Sequence, residues 1–191
     1  MAWAAGDAAK GKTFFTVCVA CHGPNGEGNQ ALHAPALAGQ EPWYLKAQIK
    51  NFKEGIRGAV AGDTWGSTMG PMVATLTSEE AIDDVVAYIA TLKAAHSPAT
   101  LTGGNAEKGK TYFNVCVTCH GPAADGNETV HSPRLSIQQD WYMFDQLQKF
   151  KNGMRGANPK DPWGATMAPM AKTLPDEQAI KDVIAYIKTL K

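Results

Sequence analysis

Val17-Cys18-Val19-Ala20-Cys21-His22-Gly23-Pro24 returns as Val115-Cys116-Val117-Thr118-Cys119-His120-Gly121-Pro122, differing only at Ala20 and Thr118. The offset is 98, and it holds without a gap from 8–93 to 106–191, where 48 of 86 aligned pairs are identical. The chain is therefore a duplication. Gly55-Ile56-Arg57-Gly58-Ala59 returns as Gly153-Met154-Arg155-Gly156-Ala157, and the stretch from Trp65 to Met72 returns from Trp163 to Met170. Two copies are too few for a solenoid, so the repeat predicts two compact domains. Their expected bounds are 1–94 and 106–191, joined at 95–105 by a small, polar, Gly- and Pro-containing connector.

Composition narrows the classes further. The 191 residues carry 18 basic and 18 acidic side chains, which disfavours a nucleic-acid binder that relies on a strong basic charge. No apolar run approaches the roughly 18 residues needed for a transmembrane helix. Hydrophobic residues make up 44%, enough for a core. A domain of about 90 residues is marginal on its own burial, so a cofactor filling part of the core is expected.

Three helices are expected in each repeat. The first spans about 8–20 and leads into the Cys pair. The second spans about 42–54, with Leu45, Ile49 and Phe52 at helical spacing and Met143, Leu147 and Phe150 as their counterparts. The third spans about 78–92, with Ile82, Val85, Val86, Ile89 and Leu92 on one stripe and a capping box read at Thr77 to Glu80. In the second copy Pro175 is placed near the first turn. No segment alternates as a strand would. A loop of over 20 residues, carrying the Trp and Met residues, is expected between the second and third helices.

Cys-x-x-Cys-His is the attachment pattern of a c-type haem. Two thiols at this spacing can each bond one vinyl group of a porphyrin, and the adjacent His can then ligate the iron. A zinc site would need two more ligands per domain, of which His33 and His131 supply one each. A thioredoxin-like pair would sit beside a βαβ pattern, and none is visible. The sixth iron ligand is expected to be a Met: Met69 or Met72 in one copy, Met167 or Met170 in the other. Spacing alone does not choose between them.

With both motifs, the late Met and the closing helix in place, the chain resembles the cytochrome c4 family, tandem di-haem cytochromes c of class I. The resemblance covers nearly the whole chain. It implies an all-α fold of two domains, each of a few helices and long loops wrapped around one covalently bound haem, with the haem edges facing one another. It implies Cys18, Cys21, Cys116 and Cys119 as thioether anchors and His22 and His120 as iron ligands. It favours Met69 and Met167, seven residues before Leu76 and Leu174, as the axial Met residues. The Trp-Gly-x-Thr-Met stretch departs from the family pattern.

Arg57 and Arg155 are candidates for haem propionates, because guanidinium pairs with carboxylate. Trp65 and Trp163 either reach a propionate through the indole N–H or pack on the ring. Tyr44 and Tyr142 are open between those roles; Trp43 and Trp141 read as core or interface aromatics, His33 and His131 as polar loop residues, and His96 is given no role.

Function follows from the resemblance: an electron carrier rather than an enzyme, taking electrons from a quinol–cytochrome c reductase and passing them to a terminal oxidase or reductase. The alternative is a di-haem oxidoreductase, peroxidase-like or thiosulfate-oxidising, with one haem catalytic. Haem c attachment outside the cytoplasm implies a periplasmic protein, with peripheral membrane association open. The N-terminus has neither a charged n-region nor an apolar h-region, so the sequence reads as lacking its signal peptide. Residues 1–98 carry 7 basic and 9 acidic groups and residues 99–191 carry 11 and 9, a weak dipole.

Overall fold

The computed structural model describes residues 6–94 and 97–190. His96 and the stretch Met1–Ala5 lie outside the described residues. The chain divides into two compact units, Met1–Ala95 and His96–Lys191.

The first unit contains α1 (Ala8–His22), α2 (Pro42–Lys53), α3 (Thr64–Ser67), α4 (Met69–Ala74) and α5 (Glu79–Thr91). The second contains α6 (Ala106–Phe113), α7 (Val117–His120), α8 (Asp140–Lys151), α9 (Pro162–Lys172) and α10 (Glu177–Ile187). The β-structure among the described residues is two isolated bridges, Asn29 with Ala34 and Asn127 with Ser132.

In each unit the first helix packs across the last. Their backbones meet at a glycine. A Cβ added at Gly11 would lie 1.8 Å from the Asp84 carbonyl oxygen, and one at Gly109 would lie 1.9 Å from that of Asp182. No side chain larger than hydrogen fits there. Phe15, Leu45, Leu76, Ile82, Val85, Val86 and Ile89 form the first core; Phe113, Met143, Leu174, Ile180, Val183, Ile184 and Ile187 form the second at the same positions. The stripe expected on the third helix thus points inward, as do Leu45 and Ile49 on the second, whereas Phe52 and Phe150 lie outside both cores and Met143 is packing.

Three local expectations change. Ser78 rather than Thr77 caps α5, accepting from the Ala81 amide, so Ala81 holds the position a capping box would give to Glu or Gln. Pro175 precedes α10, whose cap is Asp176. The long loop is largely helical, and all four candidate Met residues lie on helices rather than in a loop. Asp161 starts α9 and Asp63 starts α3, the short helix before α4, by accepting from the Gly164 and Gly66 amides, 2.9 Å in both cases. The second copy forms one continuous helix because Pro162, Ala165 and Ala168 stand where the first has Thr64, Ser67 and Gly70. Alanine favours helix over glycine by about 1 kcal/mol, and proline suits the first turn.

The opposite holds for the first helix. α1 runs unbroken into His22, whereas α6 and α7 are separated by a tight turn in which Val115 and Cys116 donate to Tyr112 and Phe113, three residues back.

Candidate haem centres

Cys18, Cys21 and His22 occupy positions i, i+3 and i+4 at the end of α1, one face of the helix. Cys119 and His120 end α7 in the same way, with Cys116 just before it. The four cysteines form no disulfide. Burial, with the neighbouring Cys as second cause, pushes the Cys18 and Cys116 thiols up to about 11. Both therefore remain neutral thiols at neutral pH until they are bonded. Among the described residues no group of three or more His, Cys, Asp and Glu is arranged to hold a metal ion.

The two imidazoles are buried, at 4% and 6% exposure. His22 Nδ1 lies 2.8 Å from the Pro35 carbonyl oxygen, and His120 Nδ1 lies 2.8 Å from that of Pro133. A carbonyl only accepts, so Nδ1 carries the proton and Nε2 presents a lone pair. Burial lowers both imidazole pKa values, against the opposing pull of the carbonyls. Each ring is neutral and oriented, the state a metal requires.

Met69 and Met167 are half-buried, while Met72 and Met170 are exposed. Arg57 Nη1 donates to Gln48 Oε1 at 2.6 Å, and Arg155 Nη1 to Gln146 Oε1 at 2.9 Å. Each guanidinium also lies 4.5 Å above a ring, Phe52 or Phe150. In the first domain Phe52, Arg57, Gly58, Ser67 and Gly70 line a crevice of about 290 Å³ between the end of α2 and the start of α4. Lys53 and Lys151 tie the ends of α2 and α8 to the Leu76 and Leu174 carbonyls. The Gly58 backbone closes on the next turn: a Cβ there would lie 2.4 Å from the Gly66 oxygen.

Trp65 and Trp163 are exposed and sit on histidines. His33 stacks on Trp65 with centroids 4.2 Å apart and planes 9° apart; His131 lies 3.7 Å from Trp163 at 37°. Both histidines have positive φ, 51° and 52°, at the ends of one-turn 3-10 helices. Sequence reasoning saw each of these residues and missed the pairing, since 32 positions separate the partners. Trp43 is buried, as expected of a core aromatic, and Trp141 is half-buried.

These residues fit a haem c in each domain. Besides the oriented donors, Val17, Leu32, Trp65 and Met72 are all 42–46% exposed, and their counterparts Val115, Val130, Trp163 and Met170 are 40–50% exposed. Large apolar side chains open to water at the same four positions twice over mark a surface shaped for an apolar group.

The cytochrome c family model matches residues 8–93 and 106–191. Cytochrome c4 of Azotobacter vinelandii is 36% identical over 165 residues, 81% of this chain and 77% of that protein. The thiosulfate dehydrogenase electron acceptor of Stutzerimonas stutzeri is 31% identical, over 89% of this chain and 78% of that one. The crystal structure of reduced recombinant cytochrome c4 from Pseudomonas stutzeri superposes with a TM-score of 0.78 at 29% identity, covering 98% of this chain and 100% of that one. With its two Cys-x-x-Cys-His domains, its all-helical fold and its two covalently bound haem c groups, the chain belongs to the cytochrome c family and, within it, to the di-haem cytochromes c4.

Proposed function

We propose that this chain is a periplasmic electron carrier with one haem in each of the domains 1–94 and 106–191. It receives electrons from a quinol–cytochrome c reductase and delivers them to a terminal oxidase or reductase. The observation that carries the reading is symmetry. Each domain has the same thiol pair, the same buried imidazole held by a proline carbonyl, and the same pair of Met residues, so neither is set apart for catalysis. The relative named a thiosulfate dehydrogenase electron acceptor supports a carrier role alongside a second class of donor.

A haem c supplies a one-electron iron couple. The residues do the rest. Cys18 and Cys21, and Cys116 and Cys119, anchor the two rings. His22 and His120, each with Nδ1 held by a proline carbonyl, would offer Nε2 to the iron, and Met69 and Met167, seven residues before Leu76 and Leu174, would offer sulfur. Arg57 and Arg155, oriented by Gln48 and Gln146, pair with propionates. Trp65 and Trp163 cover the apolar edge.

Absorption spectroscopy of the oxidised holoprotein tests this reading. The weak red band of iron–methionine ligation is expected at the intensity of two haems. Met69→Ala and Met167→Ala each remove half of it, and Met72→Ala and Met170→Ala leave it intact. Half intensity in the unaltered protein, or a high-spin signal, overturns the carrier reading. Loss of the band in Met72→Ala or Met170→Ala overturns the ligand assignment alone.

A further inference from the structure

Asp140 opens α8, is 2% exposed, and has no counterpart: the first domain has Pro42 at that position. Its carboxylate is fully engaged. Oδ2 accepts from the Thr100 and Leu101 amides, both at 2.6 Å. Oδ1 accepts from the Thr100 hydroxyl at 3.2 Å and from the Trp141 amide at 2.8 Å. Thr100 and Leu101 belong to the connector between the domains, not to a helix.

Other contacts hold the same stretch. Leu101 packs against the second core. Gln178 Nε2 donates to the Gly103 carbonyl at 2.7 Å and to Asp182 Oδ1 at 2.7 Å, and the Asn105 amide donates to Asp182 Oδ1 at 2.8 Å. The Asp182 contact is common to both domains, since the Asp7 amide donates to Asp84 Oδ1 in the first. The Gln178 and Asp140 contacts are not, because Glu80 and Pro42 stand in their places. Lys188, just past α10, donates to the Gln138 carbonyl at 3.0 Å and faces Asp140; its counterpart is Ala90.

We propose that Asp140 is a clasp that fixes the connector to the second domain from Thr100 onward, making the start of residues 100–105 as a bound part of that domain depend on one buried carboxylate. A single carboxylate oxygen gripping two successive amides acts as an anchor point, and charge-assisted bonds of this kind are about twice as strong as neutral ones. The clasp rests on contacts within the second domain and is independent of the haem assignment.

The charge state of the carboxylate agrees. Burial pushes the Asp140 carboxyl up, but the hydrogen bonds from Leu101, Trp141 and Thr100 together outweigh it and hold the group below its ordinary value. Lys188, just past α10, is the facing charge, while Thr100 and Leu101 bring none. A carboxyl depressed by folding stabilises the closed form above its unfolded pKa and loses that stabilisation as pH falls through the folded value. The carboxylate's contribution to the clasp is therefore present at neutral pH and lost in acid.

Amide hydrogen exchange on the holoprotein tests the clasp. Asp140→Asn keeps the shape and removes the charge; Asp140→Pro installs the first domain's own residue at a position where proline is tolerated. In both variants the Thr100 and Leu101 amides are expected to exchange about tenfold faster or more, while Val183 and Ile184 in the core are unchanged. In the unaltered protein, exchange at these two amides, corrected for intrinsic rate, rises below the ordinary carboxylate range; in Asp140→Asn it does not. Unchanged exchange at Thr100 and Leu101 in Asp140→Asn, or the same acid profile in that variant and the parent, overturns the proposal. Should Asp140→Pro also lose core protection, Asp140→Asn alone decides.

Discussion

The two domains share a backbone plan and disagree along one seam. In the first, α2 meets α5 through charge: Lys46 pairs with Asp83 and lies 3.8 Å from Glu79, and Lys50 lies 3.1 Å from Glu79. In the second, α8 meets α10 through Phe144, with the Lys181 ammonium 6.0 Å from its ring, and through a 2.7 Å hydrogen bond from Gln148 to Glu177. Asp83 and Lys181 occupy the same position with opposite charge. Beneath the seam, Ile82 and Ile180 are both fully buried, and the glycine crossings match within 0.1 Å. The apolar layer and the backbone contact specify the fold, and the surrounding ionic layer is free to be rewritten.

The largest effects should therefore be equal in the two domains. Ile82→Ala and Ile180→Ala should each cost about 2–5 kcal/mol, read as loss of amide protection confined to the altered domain. A large inequality would mean that the cores are not equivalent despite their matching residues. Next in size is a difference at the seam. Asp83→Lys, which copies the second domain, puts a cation beside Lys46 and should destabilise the first domain by about 1 kcal/mol or more. Adding Lys46→Phe, which completes the copy, should recover most of that loss in a double-mutant cycle. Failure to recover would show that the seams are not interchangeable. The smallest effect is that of salt. Raising ionic strength should weaken the α2–α5 seam slightly and the α8–α10 seam less, because among the described residues the ion pairs of this seam are those of Lys46 and Lys50 with Glu79 and Asp83. Lys10→Ala should change nothing measurable, since Lys10 and Glu80 are 59% and 73% exposed in their side chains.

Much of this was legible in the sequence, for physical reasons that differ by element. The Cys-x-x-Cys-His pairs were legible because the chemistry demands contiguous residues. The α5 and α10 stripes were legible because burial of one helix face imposes a period. The Met helices were not: Gly66, Gly70, Pro71, Pro169 and the nearby Trp residues read as loop, although Asp161 caps α9 and Asp63 caps α3 just ahead of α4. The Pro35 and Pro133 carbonyls that orient the histidines were invisible for another reason. A backbone oxygen 13 positions away leaves no trace in side-chain type. The Asp140 contacts needed the folded path of the connector, although the replacement of Pro42 by Asp140 was plain in the alignment of the two copies.

The crossing of first and last helix has a consequence in time. The bonds that pin each crossing join residues 77 positions apart, Asp7 with Asp84 and Asn105 with Asp182. The Cys-x-x-Cys-His stretch comes early in each copy, and the helix that locks it down comes last. In a chain made N-terminus first, each thiol pair precedes the helix that packs across it. Contacts of such long range also form late on their own account. The order of residues thus sets the attachment motif ahead of the helix that closes over it, and the same order returns 98 residues later.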